Sequence, residues 1–131
     1  MSEYGFPGPL RDRLVAAILA RRKTTTTSLF FEYEREGEPL PAVGDRAIVI
    51  DSAENPVGVE ETVEVRIVCL GDVDLDHALA EGEGFTSVAD WRAGHEAFWH
   101  GAEYRDWAGD PIFRVTDDTR AVLVRFRFEP L

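Results

Sequence analysis

The chain has a single cysteine, Cys69, so no internal disulfide framework is available to it, and a lone thiol fits a reducing cytoplasm. No apolar run approaches the roughly 20 residues of a membrane helix. The opening MSEYGFPGPLRDRL carries acid and proline where a signal peptide needs a basic start and an apolar stretch. Cations are scarce, with 14 Lys and Arg against 25 Asp and Glu, a formal charge of −11. That balance excludes the broad basic footprint of a duplex DNA binder, since phosphate contacts draw on clustered Lys and Arg. It leaves room for a nucleoside or a short single strand held by a few cations.

Several catalytic signatures are also missing. "RKT" at 22–24 resembles the end of a P-loop, but Arg22 stands where glycine is required and no glycine-rich loop precedes it. No serine lies in a G-x-S-x-G elbow, and Cys69 alternates inward on a strand. In "HEAFWH" the histidines are five apart, which turns them about 140° from alignment on a helix, so a zinc pair is not expected. "DVDLDHALAEGE" sets Asp72, Asp74, Asp76 and Glu83 at calcium-loop positions, but His77 replaces the glycine of the sharp turn. Carboxylates ahead of a helix are ordinary capping. No metal or other cofactor is expected.

What is present suits one domain. The 131 residues are 44% hydrophobic and 11% aromatic, enough for a core. Residues 1–9 read as a Gly/Pro-rich surface arm, and 10–22 as an amphipathic helix through Leu10, Leu14, Ala17 and Ile18. A helical turn is predicted at Leu29–Arg35, a loop at "EGEPLPAVGD" and a strand at Arg46–Asp51. "PVGVEETVEVRIVCL" alternates, with Val57, Val59, Val63, Val65, Ile67 and Cys69 on one side. Val122, Val124, Phe126 and Phe128 repeat the pattern near the end. Helices are predicted at Leu75–Glu81 and from about Ser87, the second with Val88, Trp91, His95, Phe98 and Trp99 on one face. The class is α+β with a small twisted or closed sheet. His95 reads as a hydrogen-bonded core histidine. Phe98, Trp99, Tyr104 and Trp107 read as core and pocket rim, with base stacking as the alternative.

"RRKTTTTS" (21–28) is the stretch with most chemical content. A threonine hydroxyl becomes a nucleophile when a base takes its proton, and a lysine can serve if burial or neighbouring Arg21 and Arg22 lower its pKa. The competing reading is a solvated helix end entering a strand. Lys23-Thr24-Thr25-Thr26 matches the K-x-x-T core of the ASCH domain family. "SLFFEYEREGEPLPAVGD", "VID", "DVDLDHALAEGEG" and "WRAGHEAFWH" follow in the order of its bacterial single-domain branch, so the chain resembles that family from about Leu10 onward.

The resemblance implies a PUA-like small twisted β-barrel with flanking helices and a cleft used for RNA or nucleoside chemistry. It implies metal-independent amidohydrolysis of N4-acylated cytidine, or of a similar small amide, by Lys23, Thr26 and Glu83. Substrate contacts would come from Arg21, Arg22, Ser28, Trp91 and Arg92. A single-stranded RNA-binding module or ribonuclease using the same cleft is the alternative. Partners are thus a small nucleoside-like substrate or single-stranded RNA, with no duplex DNA and no membrane. Three positions depart from the family pattern: Arg21 replaces a glycine, Ser28 an arginine, and Phe85 an aspartate.

Overall fold

Proline at the first helical position starts α1 (Pro9–Leu19). The computed structural model describes residues 3–131, so the first two residues of the expected arm lie outside it. The sequence pattern carries α1 on to residue 22, but the helix stops at Leu19. Arg21 turns left-handed (φ 61°), and the N–H groups of Arg22 and Lys23 both close on the Ala17 carbonyl at 3.0 and 3.1 Å. This turn releases the threonines into β1 (Thr25–Leu29), the extended state that β-branched residues favour. Then come α2 (Phe30–Glu36), ended by left-handed Gly37, and β2 (Arg46–Ile50). β3 (Pro56–Cys69) forms a hairpin with β2, and Asp51 ties its turn by accepting from the N–H groups of Ala53 and Asn55.

Three further helices cross between β3 and β4 (Arg120–Pro130): α3 (Leu75–Ala80), α4 (Val88–Trp99) and α5 (Ala102–Ala108). Asp74 caps α3 through the His77 N–H, and Ser87 caps α4 through the Asp90 N–H. The acidic series is therefore capping and not a calcium loop: Asp72 and Asp76 are exposed, and Glu83 turns toward Lys23. α5 had no clear sequence signal, because its seven residues mix aromatic and charged side chains without an extended period.

The strands form one antiparallel sheet, β1-β4-β3-β2, curled into a half-barrel that the five helices flank. Thr26 and Ser28 pair with Val124 and Val122 and share their face, while Thr25 and Thr27 pair with Arg125 and Leu123 on the other. Alternation misjudged β3. A bulge at Val63 reverses its parity, so Gly58, Glu60 and Thr62 share the face of Phe126 and Phe128 before it, and Val65 that of Val124 after it.

Two apolar clusters result. One buries Trp91, Trp99 and Tyr104 with Leu29, Ala121 and Leu123 beneath α3–α5. The other packs α1 (Leu14, Val15, Ile18) and Tyr4 against Val49, Phe126 and Phe128. Among the described residues no helix is long and apolar enough to cross a membrane.

Candidate active site

The end of α3 and the start of β1 are locked together, and this lock builds the site. Thr24 donates its N–H to Ala80 O at 2.8 Å, and Thr25 donates its hydroxyl to His77 O at 3.0 Å. Gly82, at φ 69°, lies so close to the turn that a Cβ there would meet Arg22 O at 2.2 Å. The contact brings Lys23 beside the A-E-G-E segment that follows α3. Gly82→Ala should therefore destabilise the protein by roughly 2–4 kcal/mol in urea unfolding, combining strain with a backbone clash. Gly84, with φ 88° and open space around it, is the comparator and should lose only about 1 kcal/mol as alanine.

Lys23 is the only lysine in the chain. It is 2% exposed, and its Nζ donates to Thr25 O at 2.9 Å while standing 3.9 Å from Glu81 Oε1 and 3.7 Å from Glu83 Oε2. The ring of Tyr4, in the arm, lies 5.9 Å from the same ammonium, and the Tyr4 hydroxyl is bonded to Glu60.

Glu81 is the hub, and sequence reading missed it. Its Oε2 accepts from Thr27 Oγ1 at 2.7 Å and from the Trp91 indole at 2.7 Å, with His77 Nε2 at 3.2 Å; its Oε1 is 2.8 Å from His95 Nε2. Because the Thr27 proton goes to the carboxylate, the 2.8 Å contact of Thr27 Oγ1 with His77 Nε2 assigns the proton to that nitrogen. Burial opposes the charge of Glu81. Hydrogen bonds from His77 and His95, with the positive side of His95 and Lys23, outweigh it and hold the carboxyl well below its ordinary range. Glu83 goes the other way. Burial raises its carboxyl, Lys23 offsets part of this, and the charge of Glu81 raises it further. Two neighbouring carboxyls driven apart are the arrangement an acid–base pair needs.

Beside this cluster opens a cavity of about 680 Å³. Lys23, Thr26, Glu81, Glu83 and His95 all line it. Thr26 differs from the other threonines of its run. Thr24, Thr25 and Thr27 are tied to Ala80, His77 and Glu81, whereas no described residue hydrogen-bonds the Thr26 hydroxyl. Phe98, Trp99, Tyr104 and Trp107 contribute aromatic wall, as the rim reading expected. Phe85 also faces in and packs where Gly94 leaves room, 6.1 Å from the His95 ring.

Of the five expected substrate-binding residues, only Ser28 lines the cavity. Trp91 is fully buried, so its indole holds Glu81 and cannot touch a substrate. Arg92 is drawn away by Asp117 (2.8 Å) and Glu96 (3.4 Å). Arg21 donates to Phe128 O at 3.0 Å, and Arg22 is exposed beyond the lining. Arg21 and Arg22 therefore do not crowd Lys23. His95 is hydrogen-bonded as expected, but at the cavity wall and not within the core.

Donor atoms of Glu81, Glu83 and His95 lie within 4.8 Å of one another, close enough to share a cation. Their separation in sequence hid this group from motif reading. Lys23 Nζ already supplies positive charge to both carboxylates, so no metal step is derived.

The family model described as the ASCH domain matches residues 3–129. A crystal structure of a protein from Enterococcus faecalis is similar, at 25% identity and TM-score 0.84 over 98% of this chain and 75% of that one. An ASCH domain from Lactobacillus crispatus superposes with TM-score 0.77 at 26% identity, over 92% of this chain and 73% of that one. A Zymomonas mobilis ASCH variant, at 15% identity, TM-score 0.50 and 92% and 69% coverage, shares the fold alone. No curated protein matches the chain. With its curled antiparallel half-barrel, flanking helices and K-x-x-T turn, the chain belongs to the ASCH domain family and has the PUA-like fold.

Proposed function

We propose that the chain is an amide hydrolase acting on an N4-acylated cytidine or a similar small amide through Lys23, Thr26 and Glu83. One observation carries the reading: the chain's sole lysine is buried between two carboxylates, on the wall that presents the one unbonded threonine hydroxyl of the run. Thr26 Oγ attacks the acyl carbon, and its proton passes to the Lys23–Glu83 pair. The C–N bond breaks, and the pair returns the proton to the departing amine. Water then attacks the threonyl ester, gives its proton through the same pair to Thr26, and releases the carboxylic acid. Glu83, raised by burial, is the member suited to carry a proton. Glu81 stays ionised and holds Lys23 and His95 in place.

The second reading is binding or cleavage of single-stranded RNA in the same cleft, and it draws on the association of ASCH domains with RNA. The cavity's charge weighs against it: seven glutamates line it against Arg11, Arg13 and Lys23. Incubation with N4-acetylcytidine, followed by chromatography, should give cytidine and acetate over many turnovers. Unstructured RNA should stay intact and bind weakly. Tight RNA binding with a steep salt dependence, and no cytidine, would reverse the preference.

A further inference from the structure

Glu32 lines the same cavity and has no part in the chemistry above. It accepts the Leu29 N–H at 3.0 Å and the Tyr104 hydroxyl at 2.9 Å, both at the same oxygen, Oε2. Its second oxygen, Oε1, has no hydrogen-bond partner among the described residues, and the side chain lines the cavity. Helix capping accounts for one oxygen only. Leu29, whose N–H Glu32 holds, is three strand residues beyond Thr26, a rise of about 10 Å along β1. Phe98, Tyr104 and Trp107 wall the cavity, and Phe6 lies 5.7 Å from Phe98.

We propose that Glu32 is a specificity-determining residue, whose free oxygen accepts a hydrogen bond from a donor end of the substrate and rejects a phosphate there. This rests on the hydrolase reading for the identity of the reacting end. The length fits: one ring plus a polar substituent, the span of a nucleoside, matches the rise of β1 from Thr26 to the Leu29 N–H that Glu32 holds. The sign fits as well. Glu36 and Glu60 share the lining, so an anion placed here meets like charge. The lining cations are Lys23, held between Glu81 and Glu83, Arg11, which donates to Gly5 O at 2.8 Å, and exposed Arg13, and the seven glutamates outnumber them. A neutral hydroxyl pair or a cationic amine satisfies Oε1, whereas a phosphate does not.

Holding a carboxylate in this place is unfavourable for the fold. Burial raises its pKa, the bonds from Leu29 and Tyr104 lower it, and Glu36 raises it again, with a net upward shift. A carboxyl raised on folding favours the folded state below its ordinary value and loses that contribution as pH rises through the folded value. Glu32→Gln should thus be at least as stable as wild type near neutral pH. Its amide oxygen can still accept from Leu29 and Tyr104, while an NH₂ group replaces the cavity-facing acceptor.

Binding is read by tryptophan fluorescence, which requires no turnover, with cytidine and cytidine 5′-monophosphate as probes. Wild type should bind cytidine at least tenfold more tightly than the monophosphate. Glu32→Gln, melting no lower than wild type, should lose at least tenfold affinity for cytidine and narrow that ratio. Equal affinities in the two proteins, or no cytidine binding by wild type, would overturn the assignment. The expected binding pattern without hydrolysis of N4-acetylcytidine would remove the hydrolase reading and leave Glu32 as the selector. If N4-acetylcytidine turns over but the monophosphate binds as well as cytidine, the Glu32 assignment fails and the chemistry stands.

Discussion

Lys23→Met should lower kcat/KM for N4-acetylcytidine by about 10²- to 10⁴-fold, the range a positioned proton-transfer group supplies. Methionine keeps the length and apolar stem of the side chain while removing the ammonium from Glu81 and Glu83. Glu83, already raised by burial, should rise further once Lys23 no longer offsets that burial. Its neutral form is then more favoured, which lessens the cost of the lost ammonium beside it. The loss should therefore appear in rate far more than in far-UV circular dichroism or melting. Unimpaired turnover by a folded Lys23→Met protein would remove lysine from the chemistry.

Glu81→Leu should be the most destabilising single change in the site, by roughly 3–5 kcal/mol at about pH 7. Removing one member of a buried, hydrogen-bonded charge network strands the others. Thr27, Trp91 and His95 would each lose their acceptor, and Lys23 one of its two carboxylates. The pH dependence has a defined sign. Glu81 is held below its ordinary value of 4.5, so its contribution is complete above that pH and fades as the medium acidifies through the lower folded value. Urea unfolding should show the gap between wild type and Glu81→Leu narrowing only below about pH 4.5. A gap that stays constant into acid would mean that packing of the side chain, and not its charge, is what the fold uses.

Much of the site was legible because its residues lie in two short segments. The sequence pattern runs α1 to residue 22, three residues too far, but the β-branched run predicts the extended segment after Lys23, and strand parity separates Thr26 from Thr25 and Thr27. Which of the threonines matters came from the family pattern, since alternation alone does not choose between the two faces. Glu81 went unnoticed although it stands two residues from Glu83. Its importance depends on Trp91 and His95, one turn apart on α4, meeting it from another element. Four-residue spacing of an indole donor and an imidazole on an otherwise apolar face was the available signal. It was read as core for His95 and, through the family motif, as substrate contact for Trp91. The polar ends of both side chains in fact need a buried acceptor. The bulge at Val63 was not legible, because Val57, Val59, Val63 and Val65 keep one parity with only Glu61 out of pattern, and only pairing with β4 reveals the slip. Glu32 was equally hidden, since a glutamate three residues into a helix looks like a cap until Tyr104 and the cavity are placed around it.

The four threonines give the most direct test of the central claim that Lys23 and Thr26 form a hydrolytic pair. Cytidine release from N4-acetylcytidine should be followed for wild type, Thr24→Ala and Thr26→Ala, each confirmed folded by its melting curve. Thr24, with only a 3.4 Å hydroxyl contact to Ala80 O, should keep most of its activity as alanine. Thr26→Ala should release no cytidine above background. Turnover by Thr26→Ala at the wild-type rate would contradict the assignment of the nucleophile and, with it, the proposed chemistry of the cleft.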